Sequence, residues 1–208
     1  MISPSSFQDL SFIEAGFCDA KESLENPPPF LMNQVHGADV IILDKLPTND
    51  LDCDALITTT PRLQLTIKTA DCAPVLFVDT EKHIIGATHA GWKGAFQGIL
   101  EQTILTMISL GARCESIRAA IGPHLTKEHF QISEEMRALF PKTEHRFFET
   151  TAHGIYFDFT GYLCHRLTRA GLKHIENIPI DTFANTDYNS YRRDALNPAR
   201  QFSFITLK

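Results

Sequence analysis

Long apolar runs are missing from this 208-residue sequence. Runs such as residues 73–78 are far below the roughly 18 to 20 residues that a membrane-spanning helix needs. The opening residues contain no basic region followed by an apolar stretch, so no secretory signal is predicted. These absences predict a cytoplasmic protein with no membrane partner.

Clusters of basic residues are also missing. The formal net charge is -6, and Arg192 and Arg193 are the only adjacent basic residues. Because nucleic-acid binding needs many Lys and Arg side chains on one face, we expect no nucleic-acid partner. A single arginine pair suits one phosphate or carboxylate, since guanidinium groups hold small anions through forked hydrogen bonds. The charge therefore predicts small-molecule chemistry, and no protein partner is predicted.

Cysteine is scarce and irregularly spaced. The sequence has five cysteines, an odd number, which predicts reduced thiols rather than a disulfide framework. We therefore judge each cysteine alone, and expect structural or incidental thiols at Cys18, Cys53, Cys114 and Cys164.

The composition that is present is ordinary for a globular protein. Hydrophobic residues make up 43% and charged residues 21%, which predicts one domain over residues 1–208.

A proline run at 27–29 breaks regular structure, so the ordered part is expected to begin near Phe30. Strands are predicted at 30–35, 40–43, 55–58, 63–68, 74–78, 84–88, 117–121 and 202–207. Helices are predicted at 95–110, after Ser133, and from an Asp158 cap to Gly171. This order favours an α+β fold, a mixed sheet with helices packed on it.

Polar side chains stand at the ends of three predicted strands. Cys72 precedes one strand and His89 ends the next, so an antiparallel hairpin would place both at the same end of the pair. His36 ends an earlier strand and is followed by a glycine. Two imidazoles and a thiolate are good zinc ligands, and three protein ligands leave a fourth position for water or substrate. The spacing alone leaves a second interpretation open, with hydrogen-bonded histidines and a small buried cysteine.

Five short motifs stand out along the chain: NQVHGADV (33–40), ADCAPVLFVD (70–79), THAGWKG (88–94), IGP (121–123) and SYRRD (190–194). In sequence and in order they resemble the laccase-domain family, also called the YfiH or multicopper polyphenol oxidase family and now described as purine nucleoside phosphorylases. The resemblance runs from about Asn33 to Lys208, and the combination of ADC with HAGW is highly specific.

The resemblance implies a single-domain mixed α/β sandwich of the YfiH type whose metal is bound by His36, Cys72 and His89. It also implies phosphorolysis of adenosine, inosine and methylthioadenosine, together with adenosine deamination, with a nucleoside and phosphate as partners. Zinc is the expected metal, because a multicopper oxidase needs more histidines than these motifs bring together. Two alternatives stay open, copper-dependent oxidation of phenols and hydrolysis of a peptidoglycan precursor.

Cys72 and His89 are also the expected catalytic residues. One alternative makes Cys72 a nucleophile and His89 its base, without a metal. Another treats the site as structural zinc, which requires a fourth protein ligand. Asp71 is the candidate proton shuttle for deamination, with a turn-capping role as its alternative.

Several further residues are candidates for substrate binding. Lys93, Arg192 and Arg193 are expected to hold phosphate, unless they are surface ion-pair partners. Asn33 and Gln34 carry amides that can contact a purine edge or ribose hydroxyls.

Trp92 and His124 are weaker candidates for the site. Trp92, the only tryptophan, offers a stacking face but is expected to pack in the core, and His124 ranks below the motif histidines.

The chain departs from the family pattern in two places. The segment 1–29 looks shortened and lacks the family's Thr-Arg stretch, while Arg200 stands in Pro-Ala-Arg where the family has Thr-Gly-Arg. Details of the substrate pocket are therefore less transferable than the metal ligands.

Overall fold

The computed structural model describes residues 1–22 and 30–208, so the prediction for prolines 27–29 lies outside the described residues. The helices are α1 (Trp92–Gln97), α2 (Ile99–Ser109), α3 (Glu134–Ala138) and α4 (Phe159–Arg169), with 3₁₀ turns at Ser5–Phe7 and Lys142–Phe147. The strands are β1 (Ile13–Phe17), β2 (Val40–Leu43), β3 (Ala55–Thr58), β4 (Leu65–Thr69), β5 (Ala73–Asp79), β6 (Ile84–Ala90), β7 (Ile117–Ile121), β8 (Gln131–Ile132), β9 (Phe148–Thr151), β10 (Gly154–Phe157), β11 (His174–Asn177) and β12 (Gln201–Leu207).

A six-stranded mixed sheet lies at the centre of the fold, in the order β11-β7-β5-β6-β3-β2. Its middle is the antiparallel hairpin of β5 and β6, whereas the outer pairs β2 with β3 and β7 with β11 are parallel. Two three-stranded antiparallel sheets complete the topology, in the orders β1-β12-β4 and β8-β10-β9.

The central sheet is covered on both faces. Val75 and Phe77 of β5 belong to a core shared with α2 and α4, whereas Leu76 and Val78 belong to a core shared with β4 and β12. Because successive side chains of a strand point to opposite faces, all residues of β5 are buried. The predicted α+β sandwich is therefore confirmed.

Most predicted strands are present. Those at 40–43, 55–58 and 117–121 have the predicted bounds, and four others are shifted by one or two residues at their ends. The prediction of a strand at 30–35 is wrong. Asn33 forms only an isolated bridge with Asp52, and the N–H groups of residues 35–37 donate to the Asp54 carboxylate rather than to a neighbouring strand. The expected beginning near Phe30 is also wrong, because β1 already pairs with β12.

The predicted helix 95–110 is in fact two helices. Gly98 has a φ of 99°, a left-handed conformation that ends α1 before α2 begins. The predicted caps are confirmed, since Ser133 accepts from the N–H of Met136 and Asp158 from that of Gly161. Within residues 1–22 and 30–208, no helix combines the length and apolar character needed to cross a membrane.

Candidate metal centre

The hairpin of β5 and β6 brings Cys72 and His89 together. Pro74 lies opposite His89 and Ala73 opposite Ala90, so Cys72, directly before β5, adjoins the end of β6. This confirms the antiparallel pairing predicted from the sequence.

His36 approaches the same point from the loop before β2. Its φ of 60° places it in the left-handed region, which is uncommon for a residue with a side chain. The Nε2 atom of His36 lies 3.8 Å from the Sγ atom of Cys72, and the ligand atoms of His36, Cys72 and His89 all lie within 4.8 Å of one another. The three predicted metal ligands therefore converge.

The donor set fits a tetrahedral zinc ion. Bond lengths of about 2.3 Å to sulfur and about 2.05 Å to nitrogen place a tetrahedral S–N pair about 3.6 Å apart, close to the observed 3.8 Å. All three residues line a cleft, so the group is accessible from that side. Among the described residues, no fourth His, Cys, Asp or Glu joins this group. Three candidate ligands on a cleft wall suit an open metal site better than a closed structural one.

Asp54 organises the site, and sequence reasoning missed it. Its fully buried carboxylate accepts hydrogen bonds from His89 Nδ1 at 2.7 Å, from His36 N at 3.0 Å and from Gly37 N at 2.6 Å. The only sequence signal was an acidic residue directly before a buried strand, which did not distinguish Asp54 from other aspartates. With Nδ1 of His89 donating to Asp54, Nε2 of His89 is the free ligand atom.

The side chains of Cys72, His89 and Asp54 shift one another's pKa values. Burial alone would raise the pKa of the Cys72 thiol, but the charge of His89 and hydrogen bonding to His36 and His89 lower that pKa to about 6. Burial alone would lower the pKa of His89, but the Cys72 thiolate and Asp54 raise it to about 9. Burial opposes ionisation of Asp54 as well, yet hydrogen bonds from His89 and Gly37 keep its pKa below the usual value. Both shifts favour a Cys72 thiolate beside a protonated His89 near neutral pH.

Gly91 leaves room for the ligands. A Cβ atom at this position would lie 3.0 Å from Cδ2 of His36 and 3.1 Å from Sγ of Cys72. Its φ of -73° is accessible to any residue, so the close approach of the backbone, rather than its conformation, requires glycine here.

The centre opens into a cleft of about 860 Å³, a size typical of small-molecule sites. Aromatic and apolar side chains form part of its wall. Its charged residues, apart from the histidines and Cys72, are Lys68, Lys93, Arg192, Arg200 and Asp71. Four cations against one carboxylate make this cleft favourable for an anion.

Asp71 and Arg192 are linked on the cleft wall. Asp71, at a φ of 83°, accepts from Thr182 Oγ1 at 2.7 Å and from the backbone N of Arg192 at 2.6 Å. The Arg192 guanidinium donates to the carbonyl of His129 and lies 5.7 Å from the Phe130 ring centre. The carboxylate beside Cys72 thus fixes the loop that carries this cation.

Arg193 and Asn33 do not line the cleft. The Arg193 guanidinium donates to the carbonyls of Thr182 and Phe183 at 2.8 Å each, and also to that of Tyr188. Asn33 Nδ2 donates to Asp52 at 2.7 Å. Both side chains stabilise loops through these hydrogen bonds.

Gln34 and Lys93 do line the cleft. The Gln34 amide donates to the Lys68 carbonyl and accepts from the Lys68 N–H, so it holds β4 in place while lining the wall. Lys93 Nζ lies 5.7 Å from the centre of the Trp92 ring. Sequence reasoning missed Lys68, which lies in an ordinary strand pattern with nothing to mark it.

Trp92 and His124 occupy different environments. Trp92 packs partly against the core and also faces the cleft. His124 is fully buried, with Nδ1 bonded to the Gly122 carbonyl at 2.8 Å and Nε2 to Thr160 Oγ1 at 2.7 Å. His124 does not line the cleft, so its role here is to join the loop after β7 to the start of α4.

The sequence profile of the multi-copper polyphenol oxidoreductase laccase family matches residues 14–208. The chain belongs to this family. The match begins in β1, earlier than the resemblance found from the motifs. Family membership and the expected metal-ligand motifs therefore agree with the geometry above.

Several proteins similar to this chain are named purine nucleoside phosphorylase. The chain is 36% identical over 177 residues to the protein of this name from Deinococcus radiodurans, an alignment that covers 85% of this chain and 69% of the relative. It is also 36% identical over 180 residues to one from Mycobacterium tuberculosis H37Rv, with 84% of this chain and 70% of the relative covered. These names indicate an enzyme acting on small molecules.

Solved structures of the YfiH type share the fold. The chain matches Bacillus licheniformis YfiH with a TM-score of 0.77 at 29% identity, covering 85% of this chain and 73% of that one. A Neisseria meningitidis protein matches with a TM-score of 0.78 at 28% identity, and the match covers 85% of this chain and 74% of that one.

Proposed function

We propose that this chain is a zinc-dependent purine nucleoside phosphorylase that also deaminates adenosine. The observation that carries the proposal is the open group of His36, Cys72 and His89 on the wall of a cleft rich in cations. The names of the relatives supply the substrate class, and the cleft supplies space and charge for a nucleoside with phosphate.

For phosphorolysis, an oxygen of phosphate forms a bond to C1′ of the nucleoside as the bond from C1′ to the purine nitrogen breaks. The departing purine nitrogen takes up a proton from solvent, and ribose 1-phosphate is the second product. Lys68, Lys93, Arg192 and Arg200 bind phosphate in this scheme, because charge-assisted hydrogen bonds hold its oxygens. His36, Cys72 and His89 would hold a zinc ion, which would supply Lewis acidity to the cleft.

For deamination, water adds at C6 of adenosine and ammonia leaves, giving inosine. Asp71 is our choice for moving the proton to the leaving group, since its carboxylate lies on the cleft wall next to Cys72. The hydrogen bonds from Thr182 and Arg192 hold this carboxylate in place. Trp92, Phe130 and Tyr191 offer aromatic faces for the purine.

One competing function has a specific observation in its favour. The lowered pKa of Cys72 beside His89 suits a thiolate nucleophile that hydrolyses an amide or ester, such as a peptidoglycan precursor, without metal. Oxidation of phenols by several copper ions has less support, because the described residues contain a single three-ligand group.

The deciding experiment incubates zinc-loaded protein with adenosine and phosphate and separates the products. We expect adenine with ribose 1-phosphate, and inosine with ammonia. Cys114→Ala is a matched control for Cys72→Ala, since Cys114 is half-buried and donates to the Ala170 carbonyl away from the cleft. Absence of all these products would reject the proposal, and full hydrolytic activity after chelation would favour the thiolate alternative. We also propose that the reaction takes place in the cytoplasm, which the five unpaired thiols support.

A further inference from the structure

One carboxylate contacts both histidines of the metal centre. Oδ1 of Asp54 accepts from His36 N and from His89 Nδ1, while Oδ2 accepts from Gly37 N at 2.6 Å and Val35 N at 3.3 Å. The side chain is fully buried, so water does not compete for these bonds. Both oxygens of Asp54 are therefore occupied by groups of the site.

These contacts determine the loop conformation at His36. Three consecutive N–H groups, of residues 35–37, converge on the carboxylate while His36 adopts a φ of 60°. Left-handed backbone at such a residue costs free energy and persists where surrounding contacts hold it. The backbone of Asp54 adds a further restraint, since its carbonyl accepts from His89 N at 2.7 Å.

We infer that Asp54 is the positioning residue that sets both histidines in ligating geometry before a metal arrives. Its carboxylate turns His89 so that Nε2 points to the centre, and it folds the His36 loop onto Cys72. The inference rests on the metal binding proposed above but is independent of which reaction follows.

An amide does not reproduce this arrangement. Asn has a single acceptor oxygen, so either the pair formed by Gly37 N and Val35 N or the pair formed by His36 N and His89 Nδ1 would face an NH₂ group. Donor groups facing one another in a buried site are destabilising. Asp54→Asn is therefore an isosteric test of the carboxylate.

Asp79 provides a matched control. It is also a fully buried carboxylate that accepts from backbone N–H groups, those of Glu81 and Lys82, but it lies at the far end of β5 from Cys72. Asp79→Asn reports what the loss of a buried carboxylate does to the fold without touching the metal centre.

The experiment measures zinc affinity by chelator competition and the visible spectrum of the cobalt-substituted protein for wild type, Asp54→Asn and Asp79→Asn. We expect Asp54→Asn to bind zinc about 10- to 100-fold more weakly and to change the cobalt spectrum, as loss of a carboxylate behind a histidine ligand does. Asp79→Asn is expected to keep both properties. Zinc affinity and a cobalt spectrum of Asp54→Asn equal to those of wild type would overturn the inference.

A second measurement uses the chelated wild-type protein alone and stays informative if Asp54→Asn does not fold. We expect the amides of His36 and Gly37 to exchange slowly with solvent in the metal-free state, although the His36 residue is exposed. Exchange as fast as in an unstructured loop would show that the site forms only with metal. Neither result depends on turnover, so failure of the inference is distinct from failure of the proposed reaction.

Discussion

His89 stands directly opposite Pro74 in the antiparallel pair of β5 and β6, which places its ring beside Cys72, two residues before Pro74. The metal centre is therefore built into the most buried hairpin of the central sheet, where every residue of both strands is buried. Cys72 directly precedes β5, His36 comes from the loop before β2, and Asp54 ties the His36 loop to the sheet. The site therefore has His89 within a strand, Cys72 at the start of one, and a side open to the cleft.

Gly91→Ala is expected to weaken metal binding while the protein stays folded. The added methyl group would lie 3.0 Å from the His36 ring and 3.1 Å from the Cys72 sulfur, so both ligands have to move. We expect a zinc affinity lower by about tenfold, comparable to disturbing the surroundings of a ligand. Gly86→Ala is the control, because a Cβ atom there has ordinary contacts of 3.5 Å in the same strand pair. Equal zinc affinity of Gly91→Ala and wild type would show that the backbone approach is unimportant.

Alkylation of metal-free protein by iodoacetamide is expected to follow the low pKa of Cys72. Only the thiolate reacts, so its rate should rise with a midpoint near the Cys72 pKa of about 6 and level off at neutral pH. An ordinary free thiol, with a pKa of about 8.5, still gains reactivity above neutral pH. Cys53, whose pKa burial raises to about 12, serves as the internal control and should stay unlabelled. Zinc should protect Cys72 from labelling, and a midpoint at the value of a free thiol would contradict the assigned charges.

Arg192 and Arg193 are neighbours with different expected roles. Arg192→Ala should raise the KM for phosphate, because Arg192 is one of the four cationic residues that line the cleft. Arg193→Ala should instead lower Tm by about 2–4 °C, the change that roughly 1 kcal/mol gives in a protein of this size, because three backbone carbonyls lose their donor. Melting curves and phosphate titrations of both variants separate the two roles. The reverse pattern would place Arg193 in the phosphate site.

Asp71→Asn tests whether this carboxylate positions Arg192 or moves a proton. Loss of the charge weakens the bonds from Thr182 and Arg192 N, so a positioning role predicts a raised KM for phosphate in phosphorolysis. A proton-transfer role predicts a fall of about 10²- to 10⁴-fold in the kcat of deamination. Asp187→Asn is the control. Asp187 lies in the same loop as Arg192, between β11 and β12, and forms an exposed ion pair with Lys21. Unchanged kinetics for both reactions would remove Asp71 from the site.

Local sequence patterns predicted five of the six strands of the central sheet, all but β11, and missed β1 in the sheet that it forms with β12 and β4. Strands such as β3 and β7 were visible because β-branched residues form short buried runs. β1 was missed because its pairing partner, β12, lies at the other end of the chain, and a short run with Glu14 and Gly16 shows little pattern by itself. The break at Gly98 was missed because apolar spacing continues across it.

The grouping of His36, Cys72 and His89 was predictable, whereas the contacts that support it were not. A hairpin between two strands brings Cys72 and His89 together, His36 was expected beside them, and the family motifs contain all three residues. Asp54 acts through contacts to residues 17 to 35 positions away, which no spacing rule reveals. The assignment of Arg193 to phosphate rested on its place beside Arg192, but Arg192 lines the cleft, whereas the Arg193 guanidinium donates to three backbone carbonyls away from it.

The most direct experiment measures zinc content by mass spectrometry and nucleoside products by chromatography in wild type, Cys72→Ala and Cys114→Ala. We expect one zinc ion per chain and product formation in wild type and Cys114→Ala. Cys72→Ala is expected to lose most of the zinc and the products together. Full zinc content in Cys72→Ala, or undiminished turnover without zinc, would contradict the claim that His36, Cys72 and His89 form the reactive metal centre.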